Sequence, residues 1–251
     1  MMLNGIDSGL HQGLELRIFT GVTGVIIVII LSTMDPIIRV FRGIDQPMQG
    51  FHSFLVLNSI RSQTLISLLP VFSVLPFSAS FLEDIKTKYV RFFLMRSSYR
   101  IYLLSRIIVC FFCGGLVAAA GVLTSWGIAA LVFIPKELAL EEPPEVYLDM
   151  LKTICLLYLN GGLWAVIGLA FSTLMESKYI AYTSPFVLYY LLVILYERYF
   201  PEWFLIYPME WVNPSNLWPL GHWGPAILML ELTALFSMLF IWRGGRRIRD
   251  L

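Results

Sequence analysis

The sequence predicts an all-α integral membrane protein, a bundle of six transmembrane helices. Three observations predict it. Of 251 residues, 58% are hydrophobic and only 14% are charged, whereas a soluble domain has about 25% charged residues. The apolar residues gather into six runs long enough to cross a bilayer, which takes about 20 residues as a helix. Within those runs the apolar residues are continuous and do not alternate, which argues helix and not barrel.

The runs lie at about 16–34, 62–82, 106–134, 150–175, 179–199 and 225–242. The chain reads as one transmembrane domain over 1–251. The first run opens after a polar stretch and lacks a following small-residue cleavage site, so it reads as a span and not a cleavable signal. In the second, Pro70 and Pro76 each remove a backbone donor and should bend the helix, as should Pro185 in the fifth. The third contains "CGGLVAAAG", in which Gly114 with Ala118 and Gly115 with Ala119 have the small-xxx-small spacing of closely packed helices. The fourth contains "NGG", where Asn160 is suited to an interhelical hydrogen bond. The sixth contains Glu231, an acid within an apolar span; it is expected to face the bundle interior, either hydrogen-bonded or at a substrate path. Asn160, Pro185 and Glu231 are the candidates for a translocation path or gate.

Lys and Arg set the orientation. One side takes Arg17, the six bases of 83–106, Lys178 and the C-terminal Arg243, Arg246, Arg247 and Arg249, twelve in all. The other takes Arg39, Arg42, Arg61, Lys136, Lys152 and Arg198. Both termini and the 83–106 segment are therefore expected in the cytoplasm. The outer loop 135–150 is acidic and is either solvated or attractive to cations. The segment 199–224, with four tryptophans and four prolines, is too broken to span. It is expected as short re-entrant or interfacial helices before span six, where Trp and Tyr prefer to sit.

Several chemistries find no residues to carry them. Cys110, Cys113 and Cys155 lie in apolar runs, so the C-x-x-C spacing reads as small buried residues and not a redox motif. His11, His52 and His222 match no zinc spacing, so no metal site is expected. No histidine lies in a span and no H-E-x-x-H occurs, against an intramembrane protease, and no catalytic residue is assigned. No G-x-x-x-x-G-K-[ST] phosphate loop occurs, so the chain itself should not hydrolyse ATP. A net charge of +1 gives no bulk preference for nucleic acid.

The stretch "EDIKTKYVRFFLMRSSYRIYLLSR" (83–106) departs from the rest of the chain. Its bases, Lys86, Lys88, Arg91, Arg96, Arg100 and Arg106, interleave with aromatic and aliphatic residues beyond what orientation requires. Such a segment lies on a membrane surface or docks onto a protein. The order of an acidic pair, a basic-aromatic helix, an Arg-Ser turn, Tyr102 and a base opening the third span resembles ABC-2 type transporter permeases, the membrane half of ATP-driven exporters. The family often has glycine where this chain reads Thr87-Lys88.

The resemblance implies a cytoplasmic coupling helix over 83–96, between spans two and three, seated in a groove of a separate ATPase. Its contact residues would be Glu83, Asp84, Lys88, Arg91, Phe92, Phe93, Leu94, Met95 and Arg96. The apolar run would supply an anchor and the arginines charge-assisted bonds. Helix capping is the competing account of the two acids, and burial against the chain's own spans that of the apolar run. The resemblance also implies a dimer of ABC ATPase subunits that binds the ATP and Mg, a second permease copy or related permease, surrounding membrane lipid, and a multi-pass place in a bacterial plasma membrane. The cargo implied is amphipathic or hydrophobic: a peptide, a drug or a lipid-like molecule. An ion-coupled carrier or channel without an ATPase is the alternative.

Overall fold

The computed structural model describes residues 2–44, 46–94, 98–138, 146–221 and 223–249, with the backbone alone for 2–14, 92 and 94. Among the described residues every regular element is helical, apart from one isolated parallel bridge between Met48 and Leu138. The helices are α1 (Met2–Ser32), α2 (Met34–Phe41), α3 (Phe51–Ile60), α4 (Gln63–Val74), α5 (Ser80–Lys86), α6 (Tyr89–Leu94), α7 (Tyr99–Phe133), α8 (Val146–Met175), α9 (Lys178–Arg198), α10 (Pro208–Val212) and α11 (Trp223–Arg249). Five of them, α1, α7, α8, α9 and α11, are long and apolar enough to cross a membrane, and α3 with α4 makes a sixth only if that bent pair is one span. The set is compatible with a multi-pass membrane protein.

The expected second span differs most from the structure. Instead of one helix over 62–82, α3 and α4 meet at a 70° bend, and a turn at 75–79 separates α4 from α5. Both breaks have local causes. Ser62 is extended and its hydroxyl accepts the Leu65 amide at 3.4 Å, capping a new helix. Pro76 has no amide to give the Phe72 carbonyl, so α4 stops at Val74. Pro70 and Pro185, by contrast, stay inside α4 and α9, and both are buried.

The core is organised by α8. From Asn160 to Ala170 it is buried on every side, with α7, α11, α9 and α4 packed around it. The α7–α8 crossing is close because both helices present glycine: a Cβ at Gly114 would lie 2.7 Å from the Gly161 carbonyl oxygen, and the reverse distance is also 2.7 Å. Asn160 accepts the Trp164 indole at 2.8 Å and points its amide at the Met229 sulfur of α11, 3.7 Å away. A second apolar cluster, around Phe81, Val90, Tyr102 and Phe240, closes one end.

The 199–224 segment folds as a single 3-10 turn and the short α10, bound to the bundle by tryptophan. Trp211 stacks on Trp164 at 5.9 Å and donates to the Leu205 carbonyl at 2.9 Å. Glu210 accepts the Ser215 amide and the Trp218 indole, at 2.8 and 3.3 Å.

Candidate functional site

The acids and bases of the sequence meet at the basic end of the bundle, on α5. Glu83 lies between two long helices: Lys178 at the start of α9 donates to it at 3.0 Å, and Arg17 of α1 approaches to 3.3 Å. Its neighbour Asp84 turns to α7, where it pairs with Arg106 and accepts the Tyr102 hydroxyl at 2.5 Å. The Arg106 guanidinium lies 5.4 Å from the Phe77 ring and 5.2 Å from that of Tyr102. A further pair, Glu176 with Arg247 at 3.3 Å, ties the α8–α9 turn to the end of α11.

Environment separates the two carboxyls. Partial burial favours protonation of Glu83, but hydrogen bonds from Lys178 and Arg17 outweigh it and hold the group below its ordinary value. At Asp84 burial dominates, and Arg106 and Tyr102 offset it only in part, so the group sits above its ordinary value.

After α5 the chain reverses. Thr87 donates to the Glu83 carbonyl at 2.9 Å, closing the helix. Lys88 adopts φ +59°, the left-handed region that favours glycine. The expected helix over 83–96 is therefore two short helices with a joint at Thr87-Lys88, where the resembled family often has glycine. Glu83 and Asp84 fall inside α5, which begins at Ser80, so neither is its N-cap. In α6, Val90 is buried and the Phe93 ring rests 5.1 Å from that of Tyr102. Lys86, Thr87, Lys88, Tyr89 and Arg91 are exposed.

The expected contact residues thus divide. Glu83, Asp84 and Phe93 bond or pack within the chain, while Lys88 and Arg91 face outward. Phe92 and Leu94 belong to α6 by backbone, and Met95 and Arg96 lie outside the described residues. The proposed path residues do not come together. Asn160 is core, and Pro185 is buried on α9. Glu231 contradicts its expectation: it is exposed on the outer face of α11 and does not face the interior. The helical repeat explains this, since Glu231 lies about 200° around the helix from Met229, which is fully buried.

Sequence reading missed the partners Arg17, Lys178 and Tyr102 of the acids. It also missed a second polar cluster at the opposite end. There Glu137 accepts the amides of Gly50 and His52, each at 2.9 Å, and meets His52 Nδ1 at 2.7 Å. Both side chains are buried, Glu137 at 6% exposure, although its loop read as solvated acid. Partial burial raises the Glu137 carboxyl, but the His52 and Gly50 bonds hold it below its usual value. Of the other acids of 135–150, those at 141, 142 and 145 lie outside the described residues, and Asp149 sits in the first turn of α8, 3.9 Å from Lys152. No group of three or more His, Cys, Asp or Glu able to hold a metal occurs among the described residues.

No protein-family model matches the chain, and neither a curated protein nor a solved structure does.

Proposed function

We propose that this chain is the permease subunit of an ATP-driven exporter, of the ABC-2 type its sequence resembles. It moves an amphipathic or hydrophobic substrate and draws its energy from a separate ATPase that binds ATP and Mg. The carrying observation is the α5–α6 element. One face of it is bonded to α1, α7 and α9 through Glu83, Asp84 and Phe93, while the other presents Lys86, Lys88, Tyr89 and Arg91. A short helix held by the spans and basic on its outer side suits docking against an acidic groove.

The test reverses charge where the chain's own packing is not at stake. Lys86→Glu and Lys88→Glu together should release a co-purifying ATPase and abolish ATP-dependent transport, with the unfolding midpoint unchanged. If the double variant transports as the wild type does, this reading fails. Transport that survives removal of every ATPase and follows a proton or sodium gradient would establish the ion-coupled alternative.

A further inference from the structure

The outer face of α11 carries a group that lipid cannot satisfy. Ile227, Leu230, Glu231, Leu235 and Met238 are all exposed along it. Glu231 is about 12 Å along the axis from Trp223 and about 17 Å from Trp242. Those two tryptophans are themselves about 29 Å apart, close to the roughly 30 Å of a bilayer's hydrocarbon. Glu231 is therefore near mid-membrane, beyond the reach of its side chain to either surface, and it makes no hydrogen bond or ion pair among the described residues. An acid in that position calls for a donor from another membrane helix.

The same chain offers a donor at the same depth. Tyr190 is exposed on α9 beside Val187, Leu191 and Ile194, and its hydroxyl makes no hydrogen bond among the described residues. Tyr190 is fourteen residues from Glu176, and Glu231 is sixteen from Arg247, about 21 and 24 Å along the helices. These two ends of the helices lie together, because Glu176 beside Lys178 bonds Arg247 at 3.3 Å. α9 and α11 both pack on α8 and scarcely on each other. Within one copy, then, the acid and the phenol share a level but face outward on separate helices.

We propose that a second copy of this chain covers both faces, with α11 of each protomer laid along α9 of the other and Glu231 accepting the Tyr190 hydroxyl of the partner copy. A twofold axis along the membrane normal preserves depth, so it makes this bond twice. Ala234, exposed one turn along from Glu231, leaves room for close approach. The pairing deepens the preceding reading, whose resembled family implies a second permease copy or a related permease, by assigning the surface to a second copy. It does not depend on the ATPase: a dimer that ignores ATP sinks the energy source, and a lone chain sinks this interface.

The test uses two differently tagged full-length copies in lipid, with the exposed Cys155 replaced by serine. Tyr190→Cys in one copy and Glu231→Cys in the other should form an inter-tag disulfide on mild oxidation. Leu131→Cys, on the exposed face of α7, should not pair with either. In unmodified chains, Glu231→Leu should weaken self-association at least tenfold in energy-transfer dilution measurements, while Glu231→Gln holds it closer to wild type. Leucine at a lipid-facing position leaves folding intact, which an unchanged melting curve checks. Any of three results overturns the proposal: a monomer at all protein-to-lipid ratios, Glu231→Leu associating as wild type does, or Glu231→Cys linking only to itself or to a different membrane chain.

Discussion

Placing one methyl group at Gly114 tests the packing of the bundle at its narrowest point. An alanine Cβ there collides with the Cβ of Ala165 and lies 2.7 Å from the Gly161 carbonyl oxygen, where 3.4 Å is the lower limit of ordinary contact. α7 and α8 must part by more than the roughly 0.7 Å that the oxygen alone demands, since Ala165 is nearer still, and no rotamer change can relieve them, because both obstacles are backbone or Cβ atoms. Overpacking of this kind costs about 1–3 kcal/mol. Removing a helical glycine returns about 0.5–1 kcal/mol, so Gly114→Ala should be destabilised by up to about 2.5 kcal/mol. Gly127 is the control. It lies on the same helix with nothing within 4 Å of a new Cβ, so Gly127→Ala should gain the glycine term alone, about 0.5–1 kcal/mol. Both variants can be unfolded with denaturant in the same detergent and compared by helical circular dichroism. If the two alanines give the same midpoint, the Gly114–Gly161 crossing does not hold the bundle at the separation described.

Three further outcomes follow from the polar clusters. Asp84→Asn strands the Arg106 guanidinium at a site only 17% exposed. It should cost about 2–3 kcal/mol, while the double variant with Arg106→Gln costs less than the two singles combined; additive losses in equilibrium unfolding would mean the two groups are not coupled. Glu83→Gln should cost no more than about 1 kcal/mol, because Arg17 and Lys178 are 42% and 38% exposed and water replaces their partner. Glu137 is held below the ordinary glutamate value of about 4.3. Its contribution is therefore full above that value and is lost as pH falls through the lower folded value. Between pH 7 and 3 the wild-type melting temperature should fall more steeply than that of Glu137→Gln; parallel curves would exclude this carboxylate as an acid-sensitive tie.

The spans were legible because their signal is redundant. A run of about 20 apolar residues can do little else. α8 and α9 lie within four residues of their expected bounds, while α1 begins 14 residues before its run, α7 seven before, and α11 ends seven after. The second span was not, because hydropathy cannot register the extended backbone at Ser62 or the missing Phe72–Pro76 hydrogen bond. "CGGLVAAAG" and "NGG" marked each helix as suited to close packing without saying that α7 and α8 pack on each other or that Gly114 and Gly161 meet. The partners of the acids were hidden for a different reason. Glu83 and Lys178 are 95 positions apart, and no local pattern ranks one base over the other seventeen. Glu231 misled because an acid in an apolar helix implies a partner but does not say on which face that partner lies.

On the proposed reading, the joint at Lys88 decides how a push could travel. A continuous helix over 83–96 would carry force along its axis. Two short helices meeting at a left-handed residue cannot, so the load must cross sideways from α6 into the bundle. Tyr102 is the residue placed to receive it. Its ring meets Phe93 of α6 at 5.1 Å and Phe81 of α5 at 6.3 Å, while its hydroxyl bonds Asp84. Asp84 passes to Arg106 one turn further along α7, and Glu83 beside it holds α1 and α9. Three long helices are thus bonded to two neighbouring residues of the seven-residue α5, so that helix cannot move without straining all of them. On that reading the exposed bases around the α5–α6 joint and the half-buried carboxylates on α5 have separate tasks, the first to be gripped and the second to grip.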